Sequence, residues 1–276
     1  MSDKYPTYQR IVEVRASSWG RLFDCAHAWE AEHIIGLRRP AFIRTHLGTS
    51  IHASTAAFDK ARMDGSPITA SEAADVFIDT LHNPTEEVDY KRDTSISMRE
   101  AEVIGLALHA KYCTEISPRY EFKAVEMTMT PVEIDCGNGI TIRLKGTMDR
   151  ARVATESGKT VIPDIKTGGR LISEGKVVLK ARSAQLGAYQ LMYEDNAGEH
   201  TDGSQIIALQ TTKDALVGVS RVFDAKRAMI GTSSQPGMLE YAAVMFKSGM
   251  FPPNPSSSLC SQKFCARWDT CLYRDE

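Results

Sequence analysis

The stretch from Gly146 to Lys166 restricts this chain more than any other. Val161 to Lys166 is rich in β-branched residues and lies between Gly158 and Gly168, which reads as a buried strand. Side chains two apart on a strand share a face, so Asp164 and Lys166 are presented together. Asp149 precedes Asp164 by fifteen residues, on a strand read from Ile140 to Val153, and the turn Glu156-Ser157-Gly158-Lys159 folds the two strands antiparallel. Two carboxylates and an ammonium group thus converge on one hairpin.

That combination suits metal-assisted hydrolysis of a phosphodiester. Mg2+ and Mn2+ take hard oxygen ligands, often one or two carboxylates with substrate phosphate oxygens, and the ion makes a bound water acidic enough to yield hydroxide near neutral pH. A neighbouring lysine orients that water or neutralises charge developing on the phosphate. An isolated Asp-x-Lys is more simply a strand-end salt bridge. Asp149 on the adjoining strand shifts the balance towards a site.

Cysteine usage adds a second constraint. Three of the six cysteines crowd the C-terminal end as Cys260-x4-Cys265-x5-Cys271. In a reducing compartment such clusters bind metal more often than they form disulfides. Three thiolates leave a four-coordinate site one ligand short, and Cys25 is the best candidate for the fourth, with Cys113 and Cys136 as competitors. Cys136 falls in a Cys-Gly-Asn-Gly turn and Cys113 near a helix end, where both read as plain small residues.

Around these features the chain alternates in period. Ser17-Ser18 caps an amphipathic helix on Trp19, Leu22, Phe23, Ala26 and Trp29, with Cys25 near its middle. Gly48-Thr49-Ser50-Ile51-His52 opens a second helix carrying His52, Ala56 and Asp59 on neighbouring turns; taken alone, His52 reads as a structural histidine. Ala70 to Lys111 reads as helical and charged. From Glu121 to Ile134 the pattern becomes a strand, Gly137-Asn138-Gly139 a hairpin turn, and the two later strands complete a three-stranded meander. Glu126 on the first strand either adds a carboxylate to the site or faces solvent.

After Gly168-Gly169 comes a basic loop with Arg170, Lys176, Lys180 and Arg182, either an ordinary solvated loop or a set of phosphate contacts for a nucleic-acid backbone. Ala181 to Glu194 reads as a helix with Gln185 and Tyr189 one turn apart on one face. Ser204 to Thr212 and Val217 to Phe223 form a hairpin around Lys213-Asp214-Ala215, and Leu239 to Lys247 is the final helix before a proline-rich stop. Ser157-Gly158-Lys159-Thr160 ends like a phosphate-binding P-loop, but Val153 stands where that motif needs its leading glycine, and the segment enters a strand. The net charge of −2 neither demands nor excludes nucleic acid. A polar N-terminus without a signal peptide and the lack of a long apolar run read as a cytoplasmic protein without membrane contact.

In this order, His52, Asp149, Pro163-Asp164-Ile165-Lys166-Thr167-Gly168, Gln185 and Tyr189 resemble the PD-(D/E)xK nucleases of the RecB type. The cysteine frame resembles their iron-sulfur branch, which includes the CRISPR-adaptation exonucleases and the AddB nuclease domain. The resemblance implies a restriction-endonuclease-like α/β fold, a mixed sheet flanked by helices, in one nuclease domain over residues 1–276. Its parts would be a mostly helical region (1–115), a catalytic sheet core (116–225), and a C-terminal helix with the cysteine tail (226–276). It implies Mg2+ or Mn2+ held by His52, Asp149, Asp164 and the Ile165 carbonyl, with Lys166 activating water and Gln185 and Tyr189 supporting the site and the DNA strand.

It further implies a 4Fe-4S cluster on Cys25, Cys260, Cys265 and Cys271 that staples the tail to the first helix. Here Ala26 follows Cys25 where the family usually has proline, and four residues instead of two separate Cys260 from Cys265. A structural zinc on the same thiolates is the alternative. The implied activity is exonucleolytic, on single-stranded DNA ends, in recombination and repair, phage DNA metabolism or CRISPR adaptation. Without a P-loop, unwinding would fall to a separate helicase or another recombination or adaptation partner. A DNA-binding accessory protein with a structural cysteine-bound metal is the reading from outside the enzyme class.

Overall fold

In a computed structural model, residues 11–137, 139–154, 157–180 and 182–274 are described. Glu156, Asn138 and Ala181, which the sequence reading placed in two turns and at a helix start, lie outside them. The chain begins with β1 (Ile11–Arg15), whose alternating burial follows Val12 and Val14, then α1 (Trp19–Asp24) and α2 (Ala26–Glu30). Three longer helices follow: α3 (Ile43–Met63), α4 (Ala70–His82) and α5 (Met98–Lys111). Thr69 and Ser97 start α4 and α5 with capping boxes closed by Glu72 and Glu100, each satisfying two otherwise free backbone N–H groups.

The sheet region comprises β2 (Tyr120–Thr128), β3 (Val132–Asp135), β4 (Thr141–Lys145), β5 (Thr147–Ala154) and β6 (Thr160–Gly168), then a short hairpin of β7 (Ile172–Ser173) and β8 (Lys176–Val177). Next come α6 (Ser183–Ala197), β9 (Gly203–Gln210), β10 (Leu216–Val219), α7 (Lys226–Ile230) and α8 (Met238–Ser248). The central sheet runs β10-β9-β6-β5-β2, with β6 and β9 parallel and the other neighbours antiparallel. Parallel neighbours need a crossover, and α6 supplies it. The result is the expected mixed α/β fold with helices on both faces.

Two cores occupy the two faces. Ile43, Leu47 and Ile51 of α3 pack with Phe77, Leu81, Ile104 and Leu108 against Val161 and Ile165 of β6. Ile162, pointing the other way, joins Ala188 and Met192 of α6, Phe246 of α8, and Trp19 and Trp29.

The expected meander is split between two sheets. Its outer half, β3 and β4, pairs with β1 in a separate three-stranded sheet, while β2 and β5 stay in the central one. The break falls at Gly146 opposite Met129, just before Thr130 and Pro131, where Met129 N still donates to Gly146 O at 3.2 Å. Proline cannot carry the ladder through that point, so the long hairpin bends instead of running on. Two helix boundaries also differ. Helix α3 starts at Ile43, after an extended Phe42, so Gly48 is an interior residue. Bare Gly48 lets α3 lie close to β6, because a methyl group there would collide with Thr167 Oγ1. Cys25 is not inside a helix but is the extended residue (φ −147°, ψ 94°) separating α1 from α2.

Candidate active site

The site forms where two strands of the central sheet part. Among the described residues, β5 pairs with β6 only at Arg152–Val161 and Val153–Thr160. Beyond that point the Asp149 carboxylate takes over the ladder's role, accepting from Ile165 N at 2.9 Å. Residues two apart on a strand direct their N–H groups to the same side, so Pro163, which has no N–H to give, faces this opened edge and costs β6 no bond to β9.

Asp164 and Lys166 share the α6 face of β6, and Lys166 Nζ lies 2.7 Å from Asp164 Oδ2. Gln185 of α6 bridges the pair. Its Oε1 accepts from Lys166 Nζ at 2.7 Å, and its Nε2 donates to Asp164 Oδ1 at 3.2 Å and reaches Tyr189 OH at 3.4 Å. Lys166 Nζ is ion-paired with Asp164 Oδ2 and donates to Gln185 Oε1, which leaves at least one N–H for a water or a phosphate oxygen.

From the opposite face, His52 of α3 brings Nδ1 to 3.6 Å from Asp149 Oδ2. Burial opposes ionisation of Asp149, but His52, Lys166 and Arg150 overrule it and hold this carboxyl well below the usual carboxylate range. The same burial pushes Asp164 up, with Asp149 adding repulsion that Lys166 only partly offsets. Burial also opposes charge on His52, yet Asp149 raises its pKa. Neighbouring carboxylates driven in opposite directions by burial and by named charge partners are a feature of functional sites.

Glu126, left open by the sequence, belongs to this group. It lies opposite Asp149, between the β2–β5 pairs Val125–Arg150 and Met127–Met148, and its φ of 49° places it in the left-handed region. Such a conformation costs a non-glycine residue about 1–3 kcal/mol and clusters at functional sites. Among the described residues, His52, Glu126 and Asp149 offer ligand atoms within 4.8 Å of one another. Asp164 adjoins this trio while engaged by Lys166 and Gln185. The donor set of carboxylate oxygens and one imidazole fits a hard divalent cation.

Behind the site lies a buried charge network that the sequence reading missed. Arg150 and Arg152 are fully buried, as is Asp59 of α3. Asp59 Oδ2 accepts from Arg150 Nε at 2.7 Å and from the Tyr112 hydroxyl, and Asp59 Oδ1 accepts from Ser117 Oγ at 2.6 Å. Arg150 Nη1 donates to the Asp149 carbonyl at 2.7 Å and to Glu126 Oε1 at 3.1 Å, tying the network to the metal-facing carboxylates. Arg152 stacks over Tyr120, 4.4 Å from the ring centroid. Arginines two apart on a strand read as a solvent face; only the helix laid across them shows otherwise.

The model of the PD-(D/E)XK nuclease superfamily matches residues 16–272. The chain belongs to this superfamily. Among solved structures, a candidate exonuclease from Eubacterium rectale is similar in fold, with a TM-score of 0.53 at 14% identity over 95% of this chain and 90% of that one. Among curated proteins, none matches the sequence. As a PD-(D/E)XK nuclease, the protein is a phosphodiester hydrolase acting on DNA, of a kind that uses a divalent metal such as Mg2+. No helix among the described residues is long and apolar enough to cross a membrane.

Cys260, Cys265 and Cys271, grouped by spacing, and Cys25, the candidate fourth ligand, line one cavity between the first helices and the C-terminal tail of this nuclease. The break at Cys25 is stabilised from the tail: Asn254 N donates to Cys25 Sγ at 3.4 Å, Asn254 Nδ2 to Asp24 O at 2.9 Å, and Ser257 Oγ to Asp24. Arg267 crosses the same junction to His27 and Glu30. Cys113 and Cys136 are buried elsewhere, against His109 and Ile134. Of the four loop cations, Arg170 lines a cavity that also holds Arg44 and Lys213. Lys176 lies on β8, Arg182 directly precedes α6, and Lys180 is exposed between them.

Proposed function

We propose that this nuclease is an exonuclease acting on single-stranded DNA ends, with a divalent metal at the catalytic site and a 4Fe-4S cluster on Cys25, Cys260, Cys265 and Cys271. The observation carrying the first part is the convergence of Asp149, Asp164, Lys166, Gln185 and His52 at the parting of β5 and β6. His52, Asp149, Asp164 and the Ile165 carbonyl would hold Mg2+ or Mn2+, with Glu126 as a further oxygen ligand that the geometry adds. The ion, when bound, supplies an acidified water and charge neutralisation at the phosphate. The chain's own contribution is positional. Gln185 fixes the Lys166 ammonium against Asp164 so that its remaining N–H meets the attacking water or a phosphate oxygen, and Tyr189 steadies Gln185. The likeness to a candidate exonuclease supports attack at ends.

All four thiols line one cavity, the juxtaposition that a thiolate-bound cluster requires, and a structural zinc on the same four sulfurs is the alternative. A cluster at that place closes a loop from Cys25 to Cys260, tying the tail to α1 and α2. Cys271→Ala is accordingly expected to lower iron content and thermal melting together; unchanged melting with iron lost would contradict the staple.

The deciding experiment is digestion of end-labelled single- and double-stranded DNA by anaerobically purified protein with Mn2+, with Mg2+ and with chelator. Progressive, metal-dependent shortening of the single strand is expected. Internal cuts without shortening from an end would refute the exonuclease reading, and no cleavage by folded, iron-loaded protein would refute the catalytic one.

A further inference from the structure

Beside His52, a cavity of about 620 Å3 opens between α3, the end of β6 and the cysteine tail. One wall is the bare backbone of Gly168 and Gly169, and the other carries Phe42, Arg44, Lys263 and Phe264. Phe42 and Phe264 meet edge to face at 5.6 Å between centroids, and Lys263 Nζ sits 4.7 Å from the centre of the Phe42 ring and 5.4 Å from that of Phe264. Phe264 is 38% exposed.

The cations are held in place from behind. Buried Asp93 lies 3.0 Å from Lys263 Nζ and 3.8 Å from Arg44 Nε, one carboxylate against two cations. Arg44 is fixed further by bonds to Ser95 Oγ at 2.8 Å and Thr211 O at 3.3 Å. Arg44, Gly169 and Thr211 also line the next cavity, of about 380 Å3, which adds Arg170 and Lys213. Its one carboxylate, Glu100, is engaged in capping Ser97. The two cavities share Arg44, Gly169 and Thr211, so a groove leads from His52 at the edge of the site past half-buried Phe42 and exposed Phe264 to a basic mouth.

We propose that this groove binds a single DNA strand, with a base stacked on the Phe42–Phe264 pair and the adjoining phosphates on Arg44, Lys263, Arg170 and Lys213. Cations along a groove with an aromatic platform are the elements of sequence-tolerant single-strand binding, and a paired duplex has no free base face to offer the rings. The inference rests on the nuclease reading and deepens it. It makes Lys263 and Phe264, two residues of the cysteine tail, part of the substrate site.

The test is anisotropy titration of a labelled oligothymidylate in chelator with the full-length, iron-loaded protein, its Phe42→Ala, Phe264→Ala and Phe264→Trp variants, and a duplex control. In parallel, bis(p-nitrophenyl) phosphate hydrolysis with Mn2+ reports the reacting centre alone. Each alanine variant is expected to bind the single strand about tenfold more weakly, with tryptophan restoring it and duplex binding nearly unchanged. Hydrolysis of the small ester should stay at the wild-type rate. Wild-type affinity in both alanine variants overturns the groove, and Phe42→Ala, distant in sequence from the thiolates, decides if Phe264→Ala loses iron. Failure of the wild type to hydrolyse either DNA or the ester would instead overturn the nuclease reading, while the titration still judges the groove.

Discussion

Lys166→Ala is expected to lower kcat for DNA cleavage by about 10²–10³-fold, the usual cost of deleting one well-placed donor at a centre of developing charge. Nζ is fixed by its ion pair with Asp164 Oδ2 and its hydrogen bond to Gln185 Oε1, each at 2.7 Å. Alanine removes the free donor and also strips buried Asp164 of its counter-charge, driving further up a carboxyl already raised by burial. Lys166→Arg should not rescue, because a planar guanidinium cannot present a point charge within the same Asp164–Gln185 clasp. Single-turnover cleavage at saturating Mn2+ measures the effect without substrate binding. A rate within about threefold of wild type would remove Lys166 from the mechanism, since a purely structural salt bridge would be lost without that kinetic penalty.

Asp59→Ala should cost about 3–5 kcal/mol of folding stability, read by denaturant unfolding, because it removes the one fully buried carboxylate that Arg150 pairs with and leaves it only the half-exposed Glu126. Arg152 loses its nearest carboxylate as well, with Asp59 Oδ2 4.0 Å from its Nη2. Tyr112→Phe removes two hydrogen bonds from the same network, the one its hydroxyl donates to Asp59 and the one it accepts from Arg152 Nη2 at 3.1 Å, but no charge, and should cost about 2 kcal/mol. The ratio between the two variants tests the assignment; a loss below about 1 kcal/mol for Asp59→Ala would mean that Glu126 alone suffices to neutralise Arg150. Because Arg150 also holds the Asp149 carbonyl and Glu126, the variant that still folds should bind metal more weakly.

Local patterns carried the strands of the catalytic hairpin, the crossover helix with Gln185 and Tyr189, and the Asp164–Lys166 pair. Each depends on periodicity or on neighbours within a few residues. The edge strand β1 was readable in principle from the alternation of Ile11, Val12 and Val14, but its polar setting masked it. The bend at Gly146 and the break at Cys25 were not readable, because each is fixed by a partner far along the chain: Met129 in one case, the Asn254 segment in the other.

The sequence by itself determined which chemistry is available here: carboxylates and a lysine two apart on a strand, thiolates crowded at one end, and an order of motifs matching one nuclease family. Only the tertiary structure decided how those groups share charge. It set Glu126 opposite Asp149, turned Arg150 and Arg152 inward onto Asp59, and brought Lys263 and Phe264 beside His52. The reason is physical. A side chain's identity fixes what it can donate, accept or ligate, but its protonation and its partners depend on burial and on charges that approach across the fold, and those distances exist only once the helices have closed over the sheet.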